Sequence, residues 1–329
     1  MQLRATRPTA ATAGVPMQHD IETFLEYLSS KMSSSQNTVA AYRNDLSQLY
    51  QFLQTANQPG GTLGVPSDRD GALVTDWSGV TRTRIAAFMV CLRDKGYAAT
   101  TVARKIAAVK SFFHFLAAEK VIQSDPTENL DSPKIEKTLP HSLTKEEVSA
   151  LLRQPARDSS PEGSRDTSML QLVWSTGMRV SELVALNQDD LDLSSGYVRC
   201  LGKGNRERIV PVSLEAQRAL EGYLEVGRPA MIRRRDEPAL FVNHRGERLT
   251  RQGFWLILKG YARRAGLASD VTPQTLRHSF AIHQLDQHTD LRSLQELLGH
   301  ASITTTQIYA HVAGTRGQEA EQAKIGARG

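Results

Sequence analysis

The sequence predicts a mainly α-helical protein of two domains: an N-terminal four-helix unit and a mostly helical second domain carrying a small three-stranded antiparallel sheet. Three observations predict it. Apolar residues recur at helical spacing through most of the chain, strand patterns are confined to residues 191–212, and a proline-punctuated basic stretch interrupts the helices near residue 130. A length of 329 residues also exceeds the usual single core, so two domains of roughly 100–200 residues each are expected.

Residues 1–19 carry Arg4 and Arg7 but no acid, are rich in Ala, Thr and Pro, and read as a disordered tail. From there Ile21, Phe24, Leu25 and Leu28 stand at i, i+3, i+4 and i+7, on one face of a helix. Helices are expected over 38–53 (Tyr42, Leu46, Leu49, Tyr50, Leu53), 83–93 (Ile85, Phe88, Met89, Leu92) and 100–119 (Val102, Ile106, Val109, Phe113, Leu116). Residues 20–124 therefore form the first domain, interrupted by a long exposed loop over 55–80 in which Gly60 and Gly61 adjoin. Arg43, Arg104, Lys105 and Lys110 decorate its helices and are candidates to face a phosphate backbone while the apolar stripes face inward.

Residues 125–141, with Pro126, Pro133, Pro140, Lys134 and Lys137, cannot continue a helix and read as a linker. The second domain, 142–316, opens on a Thr144-x-x-Glu147 capping box. An exposed loop is expected over 154–166, then a buried helix through Leu170, Leu172 and Trp174 that Gly177 ends. Three short strands follow over 191–193, 196–201 and 207–212, with Lys203 at the tip of a Gly-rich hairpin turn. Helices are expected over 213–226 and 250–265, from Pro273 with Thr272 as N-cap, and over about 290–298 and 302–310. Residues 317–329 read as a C-terminal tail.

Composition excludes several classes of function. No run of 18 apolar residues exists to span a membrane and no secretory signal opens the chain, so the cytoplasm is the expected compartment. Cys91 and Cys200 lack the spacing of a disulfide framework or zinc site, and Walker A and HExxH motifs are absent. A net charge of +5 suits a polyanionic partner.

The chemistry gathers around Tyr309, nine residues after His300. A phenol with an ordinary pKa of about 10 attacks a phosphodiester only where cations or a base assist it and donors receive the charge on phosphorus. Arg179 opens a helix whose amides already favour an anion, and Gln274 and Arg277 share one helix face. Two guanidinium groups converging there would clamp a phosphate.

The segments Thr176-Gly-Met-Arg-Val-Ser-Glu-Leu-Val-Ala-Leu186, Gly202-Lys-Gly-Asn-Arg-Glu-Arg208, Thr272-Pro-Gln-Thr-Leu-Arg-His-Ser-Phe280 and Leu298-Gly-His300 through Tyr309 resemble, in order and spacing, the boxes of tyrosine site-specific recombinases, most closely the Xer type. The resemblance covers roughly residues 20–315. It implies a SAM-like core-binding first domain and a catalytic second domain, closing as a clamp on double-stranded DNA at a short inverted-repeat site. It further implies a homotetramer, or a heterotetramer with a paralogue, and no cofactor or metal. Tyr309 would be the nucleophile forming a 3′-phosphotyrosyl bond, Arg179 and Arg277 the phosphate clamp, Lys203 the general acid and His300 a further phosphate donor, with Glu182 orienting Arg179. Chromosome or plasmid dimer resolution is the implied role; integration of a mobile element is the alternative.

One position departs from the family. Gln274 stands where the resemblance implies a histidine serving proton transfer, and an amide cannot titrate. His278, four residues on, points about 100° from Arg277 around the helix. By this reading it is no substitute but a structural residue, as is His283. Slower cleavage than in a histidine-bearing relative is expected, and a catalytically weakened DNA-binding accessory protein is the rival reading that Gln274 raises.

Overall fold

The computed structural model describes residues 17–32, 34–56, 74–131, 133, 142–202, 206–268 and 270–310. The chain divides into two compact units, residues 1–137 and 138–329. Most of the expected tail, of the 55–80 loop and of the linker, together with Lys203 and everything beyond residue 310, lies outside the described residues.

In the first unit the apolar stripes form α1 (Met17–Ser30), α2 (Gln36–Ala56), α3 (Arg82–Asp94) and α4 (Ala99–Ala118). They pack around Phe24, Leu46, Leu49, Ile85, Phe88, Phe112 and Phe113, all buried. Two expected boundaries move. Helix α1 begins at Met17, inside the expected tail, because Met17 is buried and its carbonyl accepts a hydrogen bond from the Trp77 indole at 3.1 Å. Trp77 itself belongs to the expected exposed loop, yet it is buried edge-on against Phe112 and Phe113. So large an apolar surface gains more from the core than from water.

The four basic candidates of this unit are engaged within the unit. Lys105 is only 2% exposed and donates to the buried Asp45 carboxylate at 2.8 Å. Arg104 forks onto the same carboxylate, Arg43 pairs with Glu22, and the Lys110 ammonium donates to the Leu130 carbonyl. Lys105 thus points into the core, contrary to the expectation of a backbone-facing cation, because a buried carboxylate requires a buried partner.

The second unit begins as expected, with the Thr144–Glu147 capping box opening α5 (Lys145–Leu152). The loop expected over 154–166 is instead a 3₁₀ turn, Pro155–Arg157, followed by the first turns of α6 (Pro161–Thr176). Ser160 caps α6, Pro161 takes its first position, and Arg165 and Asp166 are buried as an ion pair with Tyr261 donating to Asp166. Helix α6 packs against α8 (Leu214–Gly222) and α11 (Pro273–Asp286). Strands β1 (Leu191–Asp192), β2 (Tyr197–Leu201) and β3 (Glu207–Pro211) form one antiparallel sheet in that order, and Val198, paired with Leu191 and Val210, faces the core with Cys200. The helix expected over 213–226 is broken: α8 passes into a π-turn, Tyr223–Gly227, and then α9 (Arg228–Met231). After α10 (Arg251–Arg264), helix α11 opens with Thr272 and Pro273 as the sequence signals. Helix α12 (Leu291–Leu298) and a helix over residues 303–310 complete the described chain.

Candidate active site

The site is assembled at two chain breaks. Gly177 ends α6 with φ +59°, and a Cβ there would lie 2.2 Å from the Phe280 ring, so only glycine permits both the turn and the approach of α11. Gly299 ends α12 with φ +63°, directly before His300. The first break leads into α7 (Val180–Ala185), with Arg179 as its N-cap residue.

Three arginines meet the second break. Arg208 donates to the Leu297 carbonyl, Arg277 to that of Leu298 at 2.7 Å, and Arg179 to that of Gly299 at 3.1 Å. The last carbonyls of a helix lack internal partners and carry its negative end, so successive cations there satisfy both demands. Arg277 also donates to the Gly177 carbonyl, which ties the two breaks together.

Glu182 is the hub behind them. Its oxygens accept the Arg179 amide at 2.7 Å, the Arg179 guanidinium at 2.9 Å and both ends of the Arg208 guanidinium at 2.7 and 2.8 Å. Burial pushes its pKa up, but these donors and the charges of both arginines outweigh burial and hold it below the usual value. Arg277 is only 2% exposed and makes no ion pair among the described residues. Burial, then the neighbouring Arg179 charge, pull its pKa down to about 10.

Tyr309 lies under this cluster, 3% exposed. Its hydroxyl oxygen is 2.8 Å from His278 Nδ1, and its ring meets the imidazoles of His278, tilted at 5.3 Å, and of His300, stacked at 6.1 Å. Burial raises the phenol's pKa, and Arg277 and Arg179 partly oppose this. Burial followed by Arg277 lowers the pKa of His278; burial and the three arginines carry that of His300 down to about 4, so both imidazoles are neutral at pH 7. His300 is fixed by Thr306, whose hydroxyl lies 2.9 Å from Nδ1.

The helical domain model of phage integrases matches residues 21–62 and 72–120, and the phage integrase family model matches residues 141–316. The chain belongs to the phage integrase family, as a tyrosine recombinase of the Xer type. It is 50% identical to a tyrosine recombinase XerC of Herpetosiphon aurantiacus over 93% of this chain and 95% of that protein. It is 43% identical to a tyrosine recombinase XerD of Halalkalibacterium halodurans, over 91% and 95% respectively. A solved XerH recombinase, bound to a palindromic difH substrate after cleavage, shares its fold with a TM-score of 0.69 at 23% identity, over 92% of this chain and 94% of that one.

Of the predicted site residues, Arg179, Arg277, His300 and Tyr309 converge in the recombinase. Gln274 is exposed and lines a hollow with Arg179, Arg277, Arg251 and Trp255, on the open side of α11. Lys203 lies outside the described residues; the Gly202 amide before it donates to the Arg206 carbonyl at 2.8 Å. His283 is the structural residue expected, buried against Trp174 with Nε2 3.1 Å from the Leu143 carbonyl. His278 is not. The sequence reading turns His278 about 100° from Arg277 and so away from the tyrosine, but the helix over 303–310 brings the Tyr309 hydroxyl within 2.8 Å of its Nδ1. Arg208 also escaped notice, although its place in a Gly-Asn-Arg-Glu-Arg hairpin marked it as near Lys203. Among the described residues no helix is long and apolar enough to cross a membrane, and no cluster of His, Cys, Asp and Glu is arranged to hold a metal.

Proposed function

We propose that the recombinase cuts and rejoins strands of double-stranded DNA at a short inverted-repeat site, through a 3′-phosphotyrosyl bond on Tyr309. The observation that carries this reading is the seating of the Tyr309 hydroxyl beneath a cluster in which two arginines, Arg179 and Arg277, raise the local positive potential. A scissile phosphate entering the hollow beside Gln274 would replace carbonyl partners with its non-bridging oxygens and take both guanidinium groups as a clamp. The Tyr309 oxygen then bonds to phosphorus, the bond from phosphorus to the 5′ oxygen breaks, and Lys203 delivers the proton that the leaving 5′ oxygen needs. His300, neutral and held by Thr306, donates to a phosphate oxygen as charge accumulates. Because the phosphotyrosyl bond keeps the energy of the broken diester, a 5′ hydroxyl of a second strand reseals it without ATP.

Resolution of chromosome or plasmid dimers by a homotetramer, or a heterotetramer with a paralogue, is the biological role that high identity to proteins named XerC and XerD supports. A nicked duplex from which the short cleaved fragment diffuses away tests the chemistry. The parent protein is expected to accumulate a covalent complex, with the adduct on Tyr309 by peptide mass analysis. Tyr309→Phe is expected to bind and form none; a covalent complex formed by that variant sinks the reading.

A further inference from the structure

Tyr309 needs a partner for its proton, and Gln274 cannot be that partner because an amide does not titrate. Gln274 is exposed and lines the hollow with Arg179 and Arg277, whereas Tyr309 is buried. Among the described residues, the side-chain atom within hydrogen-bond reach of that hydroxyl is His278 Nδ1, at 2.8 Å. The contact is built from two directions. Arg277, next in sequence, anchors this turn of α11 to the Gly177 and Leu298 carbonyls, and the His300 ring stacks on the phenol ring at 6.1 Å.

Resting on the assignment of Tyr309 as nucleophile, we propose that His278 is a further catalytic residue, the general base that accepts the Tyr309 phenolic proton during cleavage and returns it during resealing. The step balances. The proton passes from the hydroxyl to Nδ1 as the freed oxygen pair forms the bond to phosphorus; the electron pair of the broken bond goes to the 5′ oxygen, which takes its proton from Lys203. Resealing reverses each transfer, and nothing is oxidised or reduced. The groups facing His278 suit this role: Arg277 from its own helix, Tyr309 from the helix over 303–310 and His300 from the loop after α12. Burial and Arg277 keep the imidazole unprotonated at neutral pH, ready to accept. At rest the proton stays on the phenol, whose pKa burial raises, until phosphate arrives.

The test is single-turnover cleavage of the nicked duplex by full-length His278→Gln, with DNA binding measured in parallel. Cleavage is expected to fall about a hundredfold or more at unchanged binding. Replacing Tyr309 with 3,5-difluorotyrosine, a more acidic phenol, is expected to return at least about tenfold of the loss, since an acidic phenol depends less on a base. Sub-saturating DNA gives a second readout: the parent rate should fall as pH drops through a value under 6.5, and the variant should lose that limb. Parental cleavage by the variant, or a loss that neither fluorination nor pH distinguishes from a packing defect, overturns the proposal. Faster cleavage overturns it too, by making His278 a latch. Should the variant fail to fold, His278→Asn carries the same measurements. A covalent complex on Tyr309 in the parent keeps the nucleophile assignment intact whichever way His278 falls.

Discussion

Two buried cations, one in each unit, are held in opposite ways. In the first, Lys105 at 2% exposure meets a carboxylate, Asp45, that is itself completely buried. In the second, Arg277 at the same exposure meets two carbonyls and a neighbouring arginine, and its pKa is pulled down to about 10 by burial and Arg179. A cation neutralised by a carboxylate supports the fold and has little left for a ligand. A cation held by dipoles beside another cation is electrostatically unfavourable until an anion arrives, which is what a phosphate-binding centre requires.

The contrast breaks most easily at Arg277. Arg277→Lys keeps a charge but cannot reach two carbonyls and a phosphate with one ammonium. Cleavage of the nicked duplex should fall about a hundred- to a thousandfold. Denaturant unfolding should also show about 1–3 kcal/mol lost, from a carbonyl left without its donor. Cleavage within about threefold of the parent, less than the tenfold that even one weak transition-state contact supplies, would mean that the depressed pKa has no bearing on catalysis.

Asp45 offers the mirror experiment. Asp45→Leu leaves Lys105 buried and uncompensated, and the first unit should lose about 3–5 kcal/mol. Urea unfolding followed by fluorescence of the buried Trp77 reads this out. Adding Lys105→Met should recover most of the loss, whereas at the site no apolar replacement of Arg277 restores cleavage.

Much of this was legible in the sequence. The stripes of α1 to α4, the Thr144–Glu147 box and the Thr272–Pro273 helix start lie where periodicity and capping place them, because local chemistry sets them. Asp45 and Lys105 carried a signal that was passed over. Asp45 falls in register with Leu49 and Phe52, and Lys105 with Val102, Val109 and Phe112, so each is a lone charge on an apolar stripe. Ser160-Pro161-Glu162 was likewise a helix start inside an expected loop. The contact between His278 and Tyr309 was not legible in this way. Helical geometry gives the direction of His278 around α11, but where Tyr309 arrives is decided by the turn at Gly299 and the packing of Tyr309 itself against Phe280 and Leu298.

Glu182 sharpens the comparison, since it is the carboxylate that positions Arg179 and Arg208 without touching Arg277. Glu182→Gln should slow cleavage by up to about a hundredfold through misplacement of Arg179. It also carries a pH signature. The folded pKa lies below the ordinary 4.5, so the carboxylate stabilises the fold at pH above that value and the contribution drains away as pH falls through the lower folded pKa. The parent should therefore exceed the variant in thermal stability at pH 7, and the difference should shrink below pH 4.5.

The smallest effect belongs to Arg43, which resembles neither extreme. Its pair with Glu22 is half-exposed on both sides, so Arg43→Ala should change stability by no more than about 1 kcal/mol. Because so weak a pair exchanges readily, Arg43 is, of the four candidate cations of the first unit, the one most easily released to a DNA phosphate. If it does, the slope of log affinity against log salt should lessen by about 1 in Arg43→Ala, while Lys105→Met paired with Asp45→Leu should leave that slope in place. Equal slopes for Arg43→Ala and the parent would confine the DNA-facing charge of this unit to residues other than Arg43. The core role of Lys105 would stand regardless, because it rests on burial and on Asp45 rather than on DNA.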